Sequence, residues 1–317
     1  MPVFENAKVE SRYFARDLDW FGHDHDFTEV NDIYIEVALD LSERAILKVT
    51  KECGISPSDF DVIFFLSTTG ISTPSIDARL TNRIKFSPHI KRIPIWGLGC
   101  AGGAAGLARA HDYLKAYPTH RALVVGVELC SLAFQRNDRK KSDIISVALF
   151  GDGAAACVMV GDSVPLNENT GPHPSTISSL STIYPDSEEV MSWKVTKEGF
   201  KVSLSKDIPM IVHSLVKPNV TEFLTQNELS IGDISHFVLH PGGMKVLQAY
   251  SEGLEISMER LQISKETLRD YGNMSSVTVY FILERFLRTT REKSDEYGLL
   301  ASLGPGFCSE LLLLKWD

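Results

Sequence analysis

The chain is poor in cysteine, and nothing arranges the cysteine it has for structural use. Cys53, Cys100, Cys130, Cys157 and Cys308 are odd in number and widely scattered, and no two stand at metal-ligand spacing. Neither a disulfide framework nor a zinc site is indicated. Basic charge is also in deficit. Lys and Arg number 32 against 41 Asp and Glu, a net charge of −9, which argues against nucleic acid as a general partner. An anionic substrate would have to be met by local basic residues. No apolar run is long enough to span a bilayer, and the opening MPVFENAKVE lacks the basic flank and apolar core of a signal peptide. A reducing cytoplasm is the expected location. Low-complexity tracts are missing as well. With 44% hydrophobic and 23% charged residues in 317, the composition is globular, enough for two ordinary domains or one large α/β unit.

What is present alternates between strand and helix. Asn31 to Cys53 carries Ile33, Val37, Leu41, Ala45 and Val49 every four residues and stops before Gly54, which predicts an amphipathic helix. Val62–Leu66 and Arg121–Glu128 are continuous apolar runs of the kind buried in parallel sheets. A helix is expected over Ser75–Lys85. Ala148–Val160 reads as strand, tight turn, strand. Residues 161–180, rich in Ser, Pro, Asn, Thr and Gly, are a candidate connection between two halves. Asp207–Leu229 reads as helical with a break near Pro218. His236–Leu239 is a strand ending in His-Pro-Gly-Gly, and Tyr271-Gly272-Asn273 opens a long helix running through Leu287. Alternation of this sort points to a mainly parallel sheet.

The stretch Ile95-Trp96-Gly97-Leu98-Gly99-Cys100-Ala101-Gly102-Gly103 ends a short apolar run in a glycine turn. Cys100 is followed by small residues leading into a helix. Free backbone N–H groups and the positive end of the helix dipole favour a thiolate there. Read alone, Cys100 fits better as a buried structural cysteine on a tightly packed helix, and the rest of the chain has to change that reading.

The two halves look like copies. VIFFLSTTG matches HFVLHPGG in character, and aligning Gly70 with Gly243 puts Cys100 opposite Asn273. LFGDGA (149–154) likewise resembles SLGPGF (302–307), at an offset shorter by 20, so the first half carries extra residues, placed within Phe134–Ile145. Repeats this long suggest two similar subdomains and no solenoid. Equivalent strand ends would then face each other, and Cys100, His240 and Asn273 could converge. A nucleophilic Cys needs a group that takes its proton or pairs with its thiolate, and a His does either. An Asn beside it adds an amide donor for an oxyanion or enolate. Taken singly, His240 also fits a strand-end turn residue and Asn273 a helix cap. Papain-like proteases share the Cys, His, Asn order, but Cys100 lacks their Cys-Gly-Ser-Cys-Trp surroundings.

GLGCAGG, ALFGDGAAA, HPGG, YGNMSS and the terminal GPG turn, in this order and from about Phe4 to the end, resemble a type III polyketide synthase. That is the chalcone-synthase-like branch of the thiolase superfamily. IWGLGCAGGAAGLARA looks closest to bacterial alkylpyrone and alkylresorcinol synthases. The resemblance implies an α/β five-layer αβαβα sandwich of two duplicated halves, 1–165 carrying the Cys and 166–317 carrying the His and Asn, usually as a homodimer. It makes Cys100 the acyl-carrying nucleophile and His240 and Asn273 its partners. Phe150 becomes the gatekeeper between a CoA tunnel and the cavity. Thr68, Thr73, Cys130, Ala133, Trp193, Val202 and Ser275 fall on pocket positions. Gly242, Gly243, Lys245 and Arg12 fall where CoA is contacted. Acyl-CoA and malonyl-CoA are the implied substrates, with no metal or other cofactor, no nucleic acid and no membrane span.

Several positions depart from the family pattern. A first strand and helix that relatives carry before this region have no counterpart here, which leaves open an impaired acyl-binding homologue. Ala133 stands where plant enzymes often have Thr, Val202 where Phe is usual, Trp193 where Gly is usual and Thr73 where Met is usual. The smaller Ala133 and Val202 suggest room for a long aliphatic starter. A ketoacyl-ACP synthase III shares the fold and the triad order, but it would show His-Gln-Ala-Asn where this chain has His-Pro-Gly-Gly.

Overall fold

The computed structural model describes residues 2–135, 140–166, 173–289 and 295–316. In chain order the first half contains α1 (Pro2–Ala7), α2 (Phe27–Cys53), β1 (Val62–Leu66), α3 (Ile76–Leu80), β2 (Lys91–Ile95), α4 (Gly102–Ala116), β3 (Arg121–Leu129), α5 (Lys141–Leu149) and β4 (Asp152–Val160). The second contains β5 (Pro174–Ile183), β6 (Met191–Val195), β7 (Phe200–Leu204), α6 (Ile208–Gln226), β8 (Ile234–Leu239), α7 (Met244–Leu254), α8 (Gln262–Tyr271), α9 (Thr278–Thr289), β9 (Glu296–Gly304) and β10 (Cys308–Trp316).

Two four-stranded sheets carry the duplication. The first runs β2-β1-β3-β4 and the second β5-β10-β9-β8. β1 is parallel to β3, and β3 antiparallel to β4. β8 is parallel to β9, and β9 antiparallel to β10. So β1, β3 and β4 correspond to β8, β9 and β10. Side chains alternate across each strand, and both faces of both sheets are covered. Ile63, Phe65, Leu123 and Val125 pack under α2. Phe64, Leu66 and Val124 turn inward onto α4 and α9, which meet Val238, Leu300 and Leu312 of the second sheet. Phe237, Leu299 and Leu311 face outward under α6 and α7. Helix, sheet, paired helices, sheet, helix: this is the five-layer αβαβα sandwich, with the site between its halves. Arg109 on α4 pins them together, its Nη1 and Nη2 donating to both oxygens of buried Glu310 on β10 at 2.6 and 3.0 Å.

Three local expectations need correction. Residues 148–149 end helix α5, and only Asp152 onward is strand; a short apolar run cannot by itself separate buried helix from strand. α6 runs unbroken through Pro218, because Pro218 and the Ser214 carbonyl it would deprive lie on the exposed side while Val212, Val216 and Val220 anchor the other face. The helix expected over Ser75–Lys85 is only Ile76–Leu80. The extra residues placed within Phe134–Ile145 fall partly on 136–139, outside the described residues.

Candidate active site

Cys100 lies in a 3-10 turn, Gly99–Ala101, immediately ahead of α4. The glycine turn of the second half presses on it. A Cβ on Gly99, which has φ +46°, would lie 2.8 Å from Pro305 Cδ, and one on Gly304 would lie 2.4 Å from the Leu98 carbonyl oxygen. Only glycine lets these backbones approach so closely. Gly99 N–H donates to Thr68 Oγ1 at 3.0 Å, tying the turn to the end of β1.

Asn273 approaches from the other half. Its Oδ1 is 4.0 Å from Cys100 Sγ and accepts the Ser275 N–H at 2.8 Å. Its Nδ2 donates to the Gly242 carbonyl at 3.2 Å. These two bonds fix the amide plane and leave one Nδ2 hydrogen free. Gly242 belongs to the loop that follows His240, whose own N–H is held by the Ala301 carbonyl at 2.9 Å. Strand end β8, strand β9 and the Asn273 turn therefore locate the imidazole. Both its ring nitrogens are buried without a hydrogen-bond partner among the described residues. A buried imidazole with two unmet polar atoms is costly unless something binds there.

Burial dominates the resting electrostatics. Cys100 is 5% exposed, and its thiol is pushed up to about 12 despite hydrogen bonding from Ser275 and Asn273. Burial drives His240 down to about 4. Burial thus favours the thiol at Cys100 and the neutral imidazole at His240. The thiolate expected from the helix start is opposed by desolvation, which outweighs the first-turn dipole.

A buried carboxylate that sequence reasoning passed over braces both halves. Glu128 accepts the Thr68 and Thr69 N–H groups at 3.0 and 3.2 Å and the Ser276 hydroxyl at 2.7 Å. Burial raises it to about 7 against those bonds. Its signal was available: one acidic residue at the end of an apolar strand. Asp152 is similar, taking the Ser131 and Ala15 N–H groups at 2.7 Å each and rising to about 6 by burial.

The pocket residues divide. Phe150, 6% exposed, forms an isolated bridge with Asn273. Cys130, Ala133 and Val202 line a space of about 20 Å³ together with Phe134, Val147 and Phe150. Trp193 pairs across the β6–β7 hairpin with Val202. Thr68 and Ser275 border the cysteine and the asparagine, as above. Thr73 is exposed on the surface. Gly242 and Gly243 lead into α7, and Lys245 stands exposed on its first turn. Arg12, which the resemblance puts where CoA is contacted, is half-buried; its Nη1 donates to the Val147 and Phe150 carbonyls, and its guanidinium lies over the Phe14 ring. That guanidinium ties the residues 10–15 segment to the end of α5.

Residues 23–163 match the family model for the N-terminal domain of chalcone and stilbene synthases, and residues 176–316 that for the C-terminal domain. A Bacillus subtilis (strain 168) protein, its own chalcone synthase assignment provisional, is 45% identical over 99% of this chain and 88% of its own length. A 1,3,6,8-tetrahydroxynaphthalene synthase of Streptomyces peucetius subsp. caesius is 37% identical over 98% of this chain and 82% of its own. The crystal structure of the 1,3,6,8-tetrahydroxynaphthalene synthase of Streptomyces coelicolor A3(2), a bacterial type III polyketide synthase, superposes with a TM-score of 0.94 at 31% identity, over 100% of this chain and 88% of that one.

Proposed function

Because the chain belongs to the chalcone and stilbene synthase family of type III polyketide synthases, we propose that it extends an acyl-CoA starter held on Cys100 by decarboxylative condensation with malonyl-CoA. The observation that carries this reading is the meeting of Cys100 Sγ with Asn273 Oδ1 at 4.0 Å, with Asn273 tied to the loop that follows His240, whose two ring nitrogens are buried and, among the described residues, without a hydrogen-bond partner.

The chemistry follows from those groups. Cys100 sulfur attacks the thioester carbonyl of the starter, its proton passes to His240 and from there to the departing sulfur, and CoA leaves as the thiol with the imidazole neutral again. Burial holds the imidazole down at about 4 and the thiol up at about 12, so the proton moves in concert with formation of the sulfur–carbon bond and not ahead of it. Malonyl-CoA binds next. Loss of its carboxylate as carbon dioxide needs no base; it needs donors for the enolate oxygen. The free Nδ2 hydrogen of Asn273 and an imidazole N–H are suited to that task. The enolate carbon attacks the Cys100 thioester and lengthens the chain by two carbons. CoA thioesters are substrates here, and the scheme calls on no further cofactor.

The finer part of the proposal concerns the starter and product: a long-chain acyl-CoA, extended and cyclised to an alkylpyrone or alkylresorcinol. Its support is the small side chains of Ala133 and Val202 on one wall of the pocket. A second reading, malonyl-CoA serving as starter as well as extender, has its own observation. The space between those residues is about 20 Å³, room for roughly one water, so a fatty tail enters only if Phe134 and Val147 part. Mass spectrometry of products from malonyl-CoA with starters from acetyl to stearoyl decides. Long-chain pyrones or resorcinols support the first reading, and product from malonyl-CoA alone supports the second.

Homodimerisation in the cytoplasm completes the proposal. Exposed Thr73 sits near two exposed apolar side chains, Ile71 at 44% and Trp96 at 58%, a surface suited to a second copy. Among the described residues no helix is long and apolar enough to cross a membrane.

A further inference from the structure

A polar rung crosses the inward face of the second sheet. Val238, Leu300 and Leu312 of β8, β9 and β10 turn toward α4 and α9. Side chains alternate along each strand, so Ser302 and Glu310 turn the same way. His240 extends β8 by one residue, its N–H on the Ala301 carbonyl. It falls beside Ser302 as Leu239 falls beside Ala301. Ser302 pairs with Glu310, and Glu310 with Ser181 of β5. In order across the sheet the rung is His240, Ser302, Glu310, Ser181.

The far end of the rung is satisfied. Glu310 Oε2 accepts from Arg109 Nη1 and from the Ser181 hydroxyl at 2.6 Å each, and its Oε1 accepts from Arg109 Nη2 at 3.0 Å. The near end is not. Ser302 is fully buried, and neither its hydroxyl nor either ring nitrogen of His240 has a hydrogen-bond partner among the described residues. A hydroxyl buried in that way is costly. Its neighbours along β9 on that face are Leu300 and Gly304, and residues 101–108, the turn and helix that pack over β9, are Gly, Ala and Leu throughout. The imidazole is the one adjacent group on the rung with polar atoms to spare. Adjacent strands lie roughly 4.8 Å apart, a span that rotation of the serine side chain and a small movement of the ring can close. Catalytic hydrogen bonds commonly tighten in this way when substrate binds.

We propose that Ser302 is a positioning residue for His240, its hydroxyl hydrogen-bonding the ring nitrogen that faces away from the reacting atoms once substrate is bound. This deepens the proposed reaction and rests on it. The two halves of that reaction ask opposite things of the ring. Acylation needs a lone pair toward the Cys100 thiol, which leaves the hydrogen on the distal nitrogen. Enolate stabilisation needs an N–H toward the substrate, which leaves the distal nitrogen bare. The partner of the distal nitrogen sets the tautomer, and a carbonyl or carboxylate there would hold only the first form. A hydroxyl both donates and accepts. Ser302 therefore supports each form in turn and keeps the ring plane fixed, while neither gaining nor losing a proton itself.

The test compares Ser302→Ala, which removes the hydroxyl at nearly constant volume, with Ser302→Thr, which keeps it. Both are first shown to melt cooperatively. Ser302→Ala should lower kcat for malonyl-CoA decarboxylation roughly tenfold, the scale of one hydrogen bond, with KM unchanged, and Ser302→Thr should stay close to the wild type. A second readout needs no turnover. Ring-nitrogen resonances are recorded on isotopically labelled histidines in protein saturated with CoA, and those of His240 are identified by their loss in His240→Ala. They should move in Ser302→Ala and hold in Ser302→Thr, which a residue that merely fills space beside α4 would not produce. The proposal is overturned by wild-type kcat in Ser302→Ala, by an equal loss in Ser302→Thr, or by His240 resonances that Ser302→Ala leaves in place. Wild-type protein that releases no carbon dioxide from malonyl-CoA would overturn the proposed reaction instead, and the ring-nitrogen resonances would still decide whether Ser302 engages His240.

Discussion

Phe150 and Asn273 are joined backbone to backbone. Asn273 N–H donates to the Leu149 carbonyl at 2.8 Å and Gly151 N–H returns to the Asn273 carbonyl at 3.0 Å, forming the only bridge outside the named strands among the described residues. A residue lining the small pocket and the amide nearest Cys100 are thereby one rigid unit. It is assembled from both halves of the chain.

That unit, with His240, is where enolate stabilisation is expected. Asn273→Ala and His240→Ala should each lower malonyl-CoA decarboxylation by roughly a hundredfold or more, the usual scale for removing one oxyanion donor. Release of labelled carbon dioxide measures it. Wild-type decarboxylation in either variant would place the enolate elsewhere.

Glu128 makes stability depend on pH in a defined direction. Its carboxyl is raised in the fold to about 7, so between the ordinary carboxylate range and 7 the native state holds a proton that the unfolded chain has lost. Stability from this group is present at low pH and is lost as pH rises through about 7. Asp152, raised to about 6, acts in the same sense. Glu128→Gln should therefore flatten the fall in melting temperature between pH 5 and 8. An unchanged slope would mean that Glu128 titrates normally.

The two glycine turns should tolerate no side chain. Gly304→Ala places a Cβ 2.4 Å from the Leu98 carbonyl oxygen and 2.6 Å from Ala101 Cβ. Overpacking of this kind costs about 1–3 kcal/mol, and the displaced part is the Cys100 turn. Denaturant unfolding should show the loss, and acylation of the remaining folded protein should slow. Unaltered acylation would show that the two turns are not coupled.

Much of this was legible in sequence, for physical reasons. β1 and β3 are buried on both faces and so read as unbroken apolar runs, and α2 shows its buried stripe every fourth residue because only one face is covered. The duplication offset brought Cys100 opposite Asn273 because the halves keep the same strand order. What stayed hidden depends on tertiary context. Arg12 looks like any basic residue until the end of α5 is seen to need its donors. Glu128 gains its role only when Thr68 and Ser276, far apart in the chain, close on it. The thiol state of Cys100 reflects burial, which spacing does not report.

Pocket volume should set starter preference. Ala133→Phe fills space beside Val202 and Phe150. Each buried methylene contributes about 0.8 kcal/mol, so kcat/KM for long starters should fall steeply relative to acetyl-CoA, with malonyl decarboxylation little changed. An identical starter profile in wild type and variant would remove Ala133 from the starter site.

The most direct measurement is the intact mass of the protein after brief exposure to an acyl-CoA without malonyl-CoA. The account predicts the mass of one acyl group, located by peptide mapping on the fragment containing Cys100. It predicts none in Cys100→Ala, a variant that melts like the wild type but forms no condensation product. Absence of an adduct on the wild type, an adduct on another residue, or normal product yield from Cys100→Ala would contradict it.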